Sequence, residues 1–342
     1  MKAAVWTGVD QIEIRDLPIP EIGQEEALIR VKAAGVCVTD YHIISGKLKI
    51  GAPPNVQGHE ICGVVEKINT TRTDLQAGMR CVIATSLGCG HCAHCRAGNQ
   101  YLCSESAEIG YRPHHGGYAE YVKVPVSAIV PIPDGVSDSA GGILESVVCP
   151  TESLMRIGVP LNGRVFITGA GPAALAFISI AKLMGAGKII SLVRGEYKAQ
   201  RARSFGADAV IDMMKTPDFA SEVFTMTENE GADLVIEATG AAQVISKMPD
   251  CCKKGGKIIL YGIPGDEETV TFPVKKLITE EITIHGAVGN TKAWYPLAEL
   301  IAAGKLDLDR MVTHRFTLEN IDQAFDLYRN HERSLIKAII EF

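Results

Sequence analysis

Apolar and polar positions alternate along the first third of the chain in short β-prone runs, K-A-A-V-W, Q-I-E-I-R and E-A-L-I-R-V-K-A-A-G-V-C, separated by Gly and Pro. That punctuation predicts an irregular, largely β domain. From about Gly163 the pattern changes. R-V-F-I-T-G leads into a helical segment through Met184, then K-I-I-S-L-V, another helix and D-A-V-I-D, and later A-D-L-V-I-E-A-T, G-K-I-I-L-Y-G and I-T-I-H-G. Nearly continuous apolar strands spaced by helices predict a doubly wound parallel sheet, buried on both faces. The tail after about residue 290 loses this rhythm and ends in S-L-I-K-A-I-I-E-F, which is assigned back to the first domain. The expected organisation is an α/β protein, with residues 1–149 and 290–342 in one domain and 150–289 in the other.

The sheet's first turn reads G-A-G-P-A-A from Gly169. A glycine fingerprint alone is weak, but this one follows a strand, opens a helix and heads a train of βα units. Gly169 permits the tight turn, and Gly171, Pro172 and Ala173 bring the helix start to a pyrophosphate. An acidic residue that would hold the ribose of NAD is expected about 20 residues on. Val193 stands there instead, with Arg194 beside it and Lys198 and Arg201 following. Losing the carboxylate and gaining guanidinium favours a 2′-phosphate, so NADP is expected over NAD, the alternative being that Arg194 is a solvated loop residue. Thr239, Gly240 and Gly262 fall at carboxyl ends of strands, where a dinucleotide lies.

Cys89, Cys92, Cys95 and Cys103 are separated by two, two and seven residues. Such gaps let successive thiolates wrap one tetrahedral zinc ion in a lobe over residues 89–103, with Gly90 and Gly98 making the turns. Two disulfides are the competing assignment. The chain opens M-K-A-A-V-W without an apolar leader, so a reducing cytoplasm, and therefore zinc, is expected. With 342 residues, 46% hydrophobic content, a net charge of -6 and no apolar run of membrane length, a small-molecule substrate is expected, with neither nucleic acid nor membrane as partner.

Cys37 in G-V-C-V-T-D-Y-H, His59 in G-H-E and Glu145 in G-G-I-L-E-S-V-V-C are each uninformative alone. Together with the lobe, G-G-Y-A-E-Y, the nucleotide turn and the terminal I-K-A-I-I, they stand in an order that resembles the zinc-dependent medium-chain alcohol and polyol dehydrogenases, over essentially the whole length. The resemblance implies a GroES-like catalytic domain beside the Rossmann domain, and a homodimer or homotetramer. It also implies a catalytic zinc on Cys37, His59 and, as in the sorbitol-dehydrogenase-like branch, Glu145. Ser146 stands where that branch carries proline, and Cys149 is the competing ligand. By the same resemblance Asp40 orients His59, Glu60 is the acidic neighbour of the zinc, Thr39 and His42 relay the proton, and Lys337 lies against the pyrophosphate. For His42 a solvated loop histidine is the alternative. A zinc with an open position eases loss of the substrate's hydroxyl proton, so that hydride can leave to nicotinamide.

The expected reaction is reversible oxidation of a secondary alcohol or polyol to the ketone. Threonine-dehydrogenase-like oxidation of an amino alcohol, and a non-catalytic NADP-binding relative, are the alternatives. The segment Y-R-P-H-H, with Tyr111, Arg112 and His115, is read as a polar wall at the mouth of the substrate cleft, against the alternative of a solvated loop.

Overall fold

In the computed structural model, which describes every residue except Arg112, Asp266 and Asn290, the third apolar run becomes one long strand, Glu26–Val36, at the centre of a seven-stranded sheet. The chain divides into two compact units, Met1–Val148 with Asn290–Phe342, and Cys149–Gly289.

In the first unit the sheet order is Ile129–Pro131, Arg80–Ile83, Glu60–Asn69, Glu26–Val36, Lys337–Glu341 and Val312–Thr317, with Tyr121–Pro125 pairing the early part of the central strand. Two strand registers bring distant segments to one end of the central strand. Antiparallel pairing sets Gly35 opposite Glu60 and Ala34 opposite Ile61, and the last strand sets Ala338 opposite Val36. A smaller sheet joins Gln11–Asp16, Lys2–Gly8 and Asn55–Val56. The helix Ile321–Arg329 lays Ile321, Ala324 and Phe325 into the core at three- and one-residue spacing, as an amphipathic helix does, beside Ile29, Ile61 and Tyr118.

The second unit holds six parallel strands in the order Ala209–Asp212, Lys188–Val193, Arg164–Thr168, Ala232–Glu237, Cys252–Leu260 and Thr283–Gly286. Val165, Phe166 and Ile167 are all 0% exposed, as expected of a strand covered on both faces. The first strand is central and the winding reverses beside it, which puts the crevice of this sheet beyond Thr168 and Glu237. Among the described residues no helix is long and apolar enough to cross a membrane.

Candidate functional site

Directly after the central strand, Cys37 turns the chain into a short helix, Val38–Ile44. Its Sγ accepts the Thr39 N–H (3.5 Å), and the Asp40 carboxylate accepts the Cys37 N–H (3.3 Å), a reciprocal cap that starts the helix. Strand pairing then brings His59 and Glu60 alongside. The ligand atoms of Cys37, His59 and Glu60 all lie within 4.8 Å of one another. Gly35 makes this possible, because a Cβ there would come within 1.9 Å of Glu60 Oε2.

Glu60 is 0% exposed, its Oε1 is bound by Lys337 Nζ, and its Oε2 is buried with no hydrogen-bond partner. An unmatched buried carboxylate oxygen is costly, and a cation beside Cys37 and His59 would satisfy it. Sulfur, imidazole nitrogen and carboxylate oxygen together suit zinc.

The ring of His59 is prepared for that role. Its Nδ1 lies 3.1 Å from Asp40 Oδ1; an ionised carboxylate only accepts, so Nδ1 carries the proton of this contact and Nε2 is the nitrogen left for a metal. Burial works to raise Asp40, but the His59 ring and hydrogen bonds from His59, Tyr118 and the Cys37 N–H hold its carboxyl below the ordinary value.

Two side chains stand elsewhere than the sequence suggests. Glu145 does not join the trio; the carboxylate beside Cys37 and His59 is Glu60, delivered by the Gly35–Glu60 register. Glu145 opens the helix Glu145–Ile157, and burial pushes its carboxyl up to about 7, with Glu60 and Glu108 adding to the rise and His59 opposing it. Cys149, in the same helix, belongs to the second unit. Lys337, expected against the pyrophosphate, is 2% exposed with its amino group on Glu60. The adjacency of Glu60 to His59 in G-H-E was the available signal for the first placement; nothing local announced the second.

Thr39 and His42 stand one turn apart on the helix that Cys37 caps. His42 is half-buried, and burial, with Lys47 nearby, pushes its ring below the ordinary histidine value. Of the Y-R-P-H-H segment, Tyr111 and His115 stand apart in burial. Tyr111 is buried, its hydroxyl 3.4 Å from His59 Nδ1. His115 is exposed, and its Nδ1 accepts the Val56 N–H (3.1 Å). Arg112 lies outside the described residues.

In the lobe the four sulfurs of Cys89, Cys92, Cys95 and Cys103 cluster within 4.8 Å, and those of Cys89 and Cys95 are 4.0 Å apart. The edge of a tetrahedron built on Zn–S bonds of ~2.3 Å is about 3.8 Å, so the cage matches zinc. Backbone N–H groups of Cys95 and Cys89 donate to Cys92 and Cys103 Sγ. None of the ten cysteines is paired in a disulfide.

In the second unit Gly169 takes a φ of +97°, and Gly171 N-caps the helix Pro172–Leu183 without a side-chain partner. A Cβ at Gly171 would meet nothing within 4 Å, so the N–H groups at the positive end of this helix face open space that fits a pyrophosphate. Ala173 follows in the first turn and Ala174 packs at 1% exposure. Beyond Val193, Arg194 is exposed and Lys198 half-buried. Burial, then the charge of Arg201, pushes the Lys198 amine down to about 8.

Thr239 stands just past the carboxyl end of the strand Ala232–Glu237. Its hydroxyl and N–H donate to the Glu237 carboxylate, which also accepts from Gly240 N–H and Thr168 Oγ1. Glu237, which the sequence did not single out, thus organises this turn. Gly262 packs so close that a Cβ would come within 2.0 Å of the Gly240 nitrogen.

Residues 23–134 match the model of the alcohol dehydrogenase GroES-like domain, and residues 172–303 that of the zinc-binding dehydrogenases. An L-threonine 3-dehydrogenase of Bacillus subtilis is 31% identical over 323 residues, covering 93% of this chain and 92% of its own. A solved structure described as a zinc-binding dehydrogenase from Sinorhizobium meliloti bound to NADP superposes with a TM-score of 0.91 at 28% identity, covering 100% of this chain and 99% of that one. An alcohol dehydrogenase from Thermus sp. ATN1 does so with a TM-score of 0.90 at 29% identity, again over 100% and 99%. Matched along both domains and aligned over nearly its full length to a relative of 31% identity, the chain belongs to the zinc-dependent medium-chain alcohol dehydrogenases and is a zinc- and NAD(P)-dependent enzyme that oxidises a hydroxyl compound.

Proposed function

We propose that this enzyme oxidises a small polar secondary alcohol to the ketone with NADP, its catalytic zinc held by Cys37, His59 and Glu60 and its structural zinc by Cys89, Cys92, Cys95 and Cys103. The observation that carries the catalytic assignment is the buried, unpartnered Glu60 Oε2 beside Cys37 and His59. When bound, the zinc polarises the substrate oxygen and the nicotinamide takes the hydride. The chain's own residues do the rest. Asp40 keeps the Nδ1 proton of His59 in place, so that Nε2 is the nitrogen presented to the zinc. The Thr39 hydroxyl accepts the substrate's hydroxyl proton as it gives up its own by way of the cofactor ribose, and His42, held below the ordinary histidine value by its burial, receives it and passes it outward.

Gly169, Gly171, Pro172 and Ala173 cradle the pyrophosphate. Arg194 and Lys198 hold the 2′-phosphate, supported by the buried Val193 where an acid would repel it. Thr239 and Gly262 border the cofactor crevice through their backbone, since the Thr239 hydroxyl is engaged by Glu237.

A second reading of the substrate, an amino alcohol such as L-threonine, is favoured by the Bacillus subtilis relative. Initial rates on 2,3-butanediol, sorbitol, L-threonine and plain 2-butanol decide between them. The highest kcat/KM on L-threonine selects the amino alcohol, and the highest on a diol or polyol selects the first reading. Equal rates on 2-butanol and the polar compounds defeat both. A homodimer or homotetramer in the cytoplasm is the proposed setting, supported by a four-cysteine lobe that suits zinc rather than disulfides; sedimentation of the purified protein tests the assembly.

A further inference from the structure

Tyr118 lies 1% exposed, and three observations fix its ring against the segment that carries His59. Its N–H donates to Gln57 O (3.0 Å), and the preceding Gly117 N–H donates to Gly58 O (2.7 Å), so residues 117–118 run hydrogen-bonded beside 57–58. Gly58 has a φ of +95°, and a Cβ on it would come within 2.7 Å of the Tyr118 ring, so only glycine lets the ring lie there. Phe325 meets the ring edge-on, at 6.1 Å between centroids and 79° between planes.

A ring held this firmly aims its hydroxyl. Tyr118 O–H reaches Asp40 Oδ2 at 2.7 Å and Gly35 O at 3.2 Å; with a single proton, the shorter contact to the charged acceptor is the stronger. Asp40 is therefore gripped through both oxygens. Oδ2 takes Tyr118 O–H and Cys37 N–H, while Oδ1 faces His59 Nδ1. One carboxylate so ties the backbone of one metal-binding residue to the ring of another, and the tyrosine hydroxyl is its only side-chain donor besides the histidine among the described residues.

We propose that the Tyr118 hydroxyl is a positioning group for the catalytic zinc, clamping Asp40 so that His59 is held in ligating orientation and the ion is retained. This inference rests on the assignment of Cys37, His59 and Glu60 as zinc ligands. Tyr118→Phe keeps the ring and its packing and removes the clamp alone. Tyr328→Phe is the comparison, because that hydroxyl donates to the Val36 carbonyl (2.6 Å), next to Cys37, and not to Asp40.

The test is zinc release from the purified holoenzyme into excess zinc-indicating chelator, with the two phases assigned by Cys37→Ser, which lacks the catalytic ion. Tyr118→Phe should speed release of the catalytic zinc about tenfold or more and leave the lobe zinc at its wild-type rate, since partners behind a metal ligand typically shift affinity 10–100-fold. Absorption bands of the cobalt-substituted catalytic site should shift in Tyr118→Phe and not in Tyr328→Phe. Wild-type release rates in Tyr118→Phe, or equal acceleration in both variants, overturn the proposal. A wild type carrying zinc only in the lobe overturns the ligand assignment itself.

Discussion

Lys337 and Glu60 form an ion pair closed to solvent, their side chains 3% and 0% exposed, although 277 positions separate them. The last strand of the chain pairs the central strand, the central strand pairs the one that begins at Glu60, and the two side chains meet across that ladder.

Breaking such a pair strands a buried charge, at a cost of about 3–5 kcal/mol. Lys337→Met should lower the unfolding free energy by that order in denaturant titration, and Lys337→Arg should recover part of it. Wild-type stability in Lys337→Met means that Glu60 is neutralised by something other than the lysine.

Zinc content separates the two candidate carboxylates. Glu60→Gln should bind one zinc per chain and lose turnover, whereas Glu145→Gln should keep two, as counted by elemental analysis. Two ions in Glu60→Gln and one in Glu145→Gln would return the third ligand to Glu145. Cys95→Ser, by contrast, should impair folding because a closed structural site contributes folding energy directly.

Cofactor choice depends on Val193 and its basic neighbours. The expected ratio of kcat/KM favours NADP over NAD, and Arg194→Ala should flatten or reverse it, because a charge-assisted contact to the 2′-phosphate is lost while the pyrophosphate turn is untouched. An unchanged ratio identifies Arg194 as a loop residue only.

Asp233 supplies a pH dependence. Its Oδ2 accepts the Arg164 N–H (2.7 Å) and its other oxygen meets Lys253 Nζ. Burial works against the charge, but the lysine and that N–H prevail and hold the carboxyl below its ordinary value. A lowered folded value means stability present above about pH 4, the ordinary carboxyl range, and lost as pH falls through the folded value. Asp233→Asn should cost about 1–3 kcal/mol at pH 7. The gap to wild type should narrow only at more acidic pH; a gap constant from pH 7 to 3 refutes the assignment.

What the chain by itself determined is whatever its chemistry completes within a few consecutive residues. The lobe is one such piece, since two-residue gaps bring Cys89, Cys92 and Cys95 around one point wherever the segment sits. The nucleotide turn is another: glycine at 169 is demanded by a φ of +97°, and Gly171 leaves the helix start open, both local. The parallel sheet was legible for a related reason, because strands buried on both faces read as unbroken apolar runs.

The catalytic constellation is of another kind. Cys37 and His59 were visible as motifs, but which glutamate joins them depends on strand register, and a shift of one residue would turn Glu60 to the other face. Lys337 on Glu60, Tyr118 on Asp40 and Tyr111 against His59 are likewise contacts between segments far apart in the chain. No local pattern encodes them. Only the assembled sheet, by burying these polar groups where water cannot satisfy them, decided their partners.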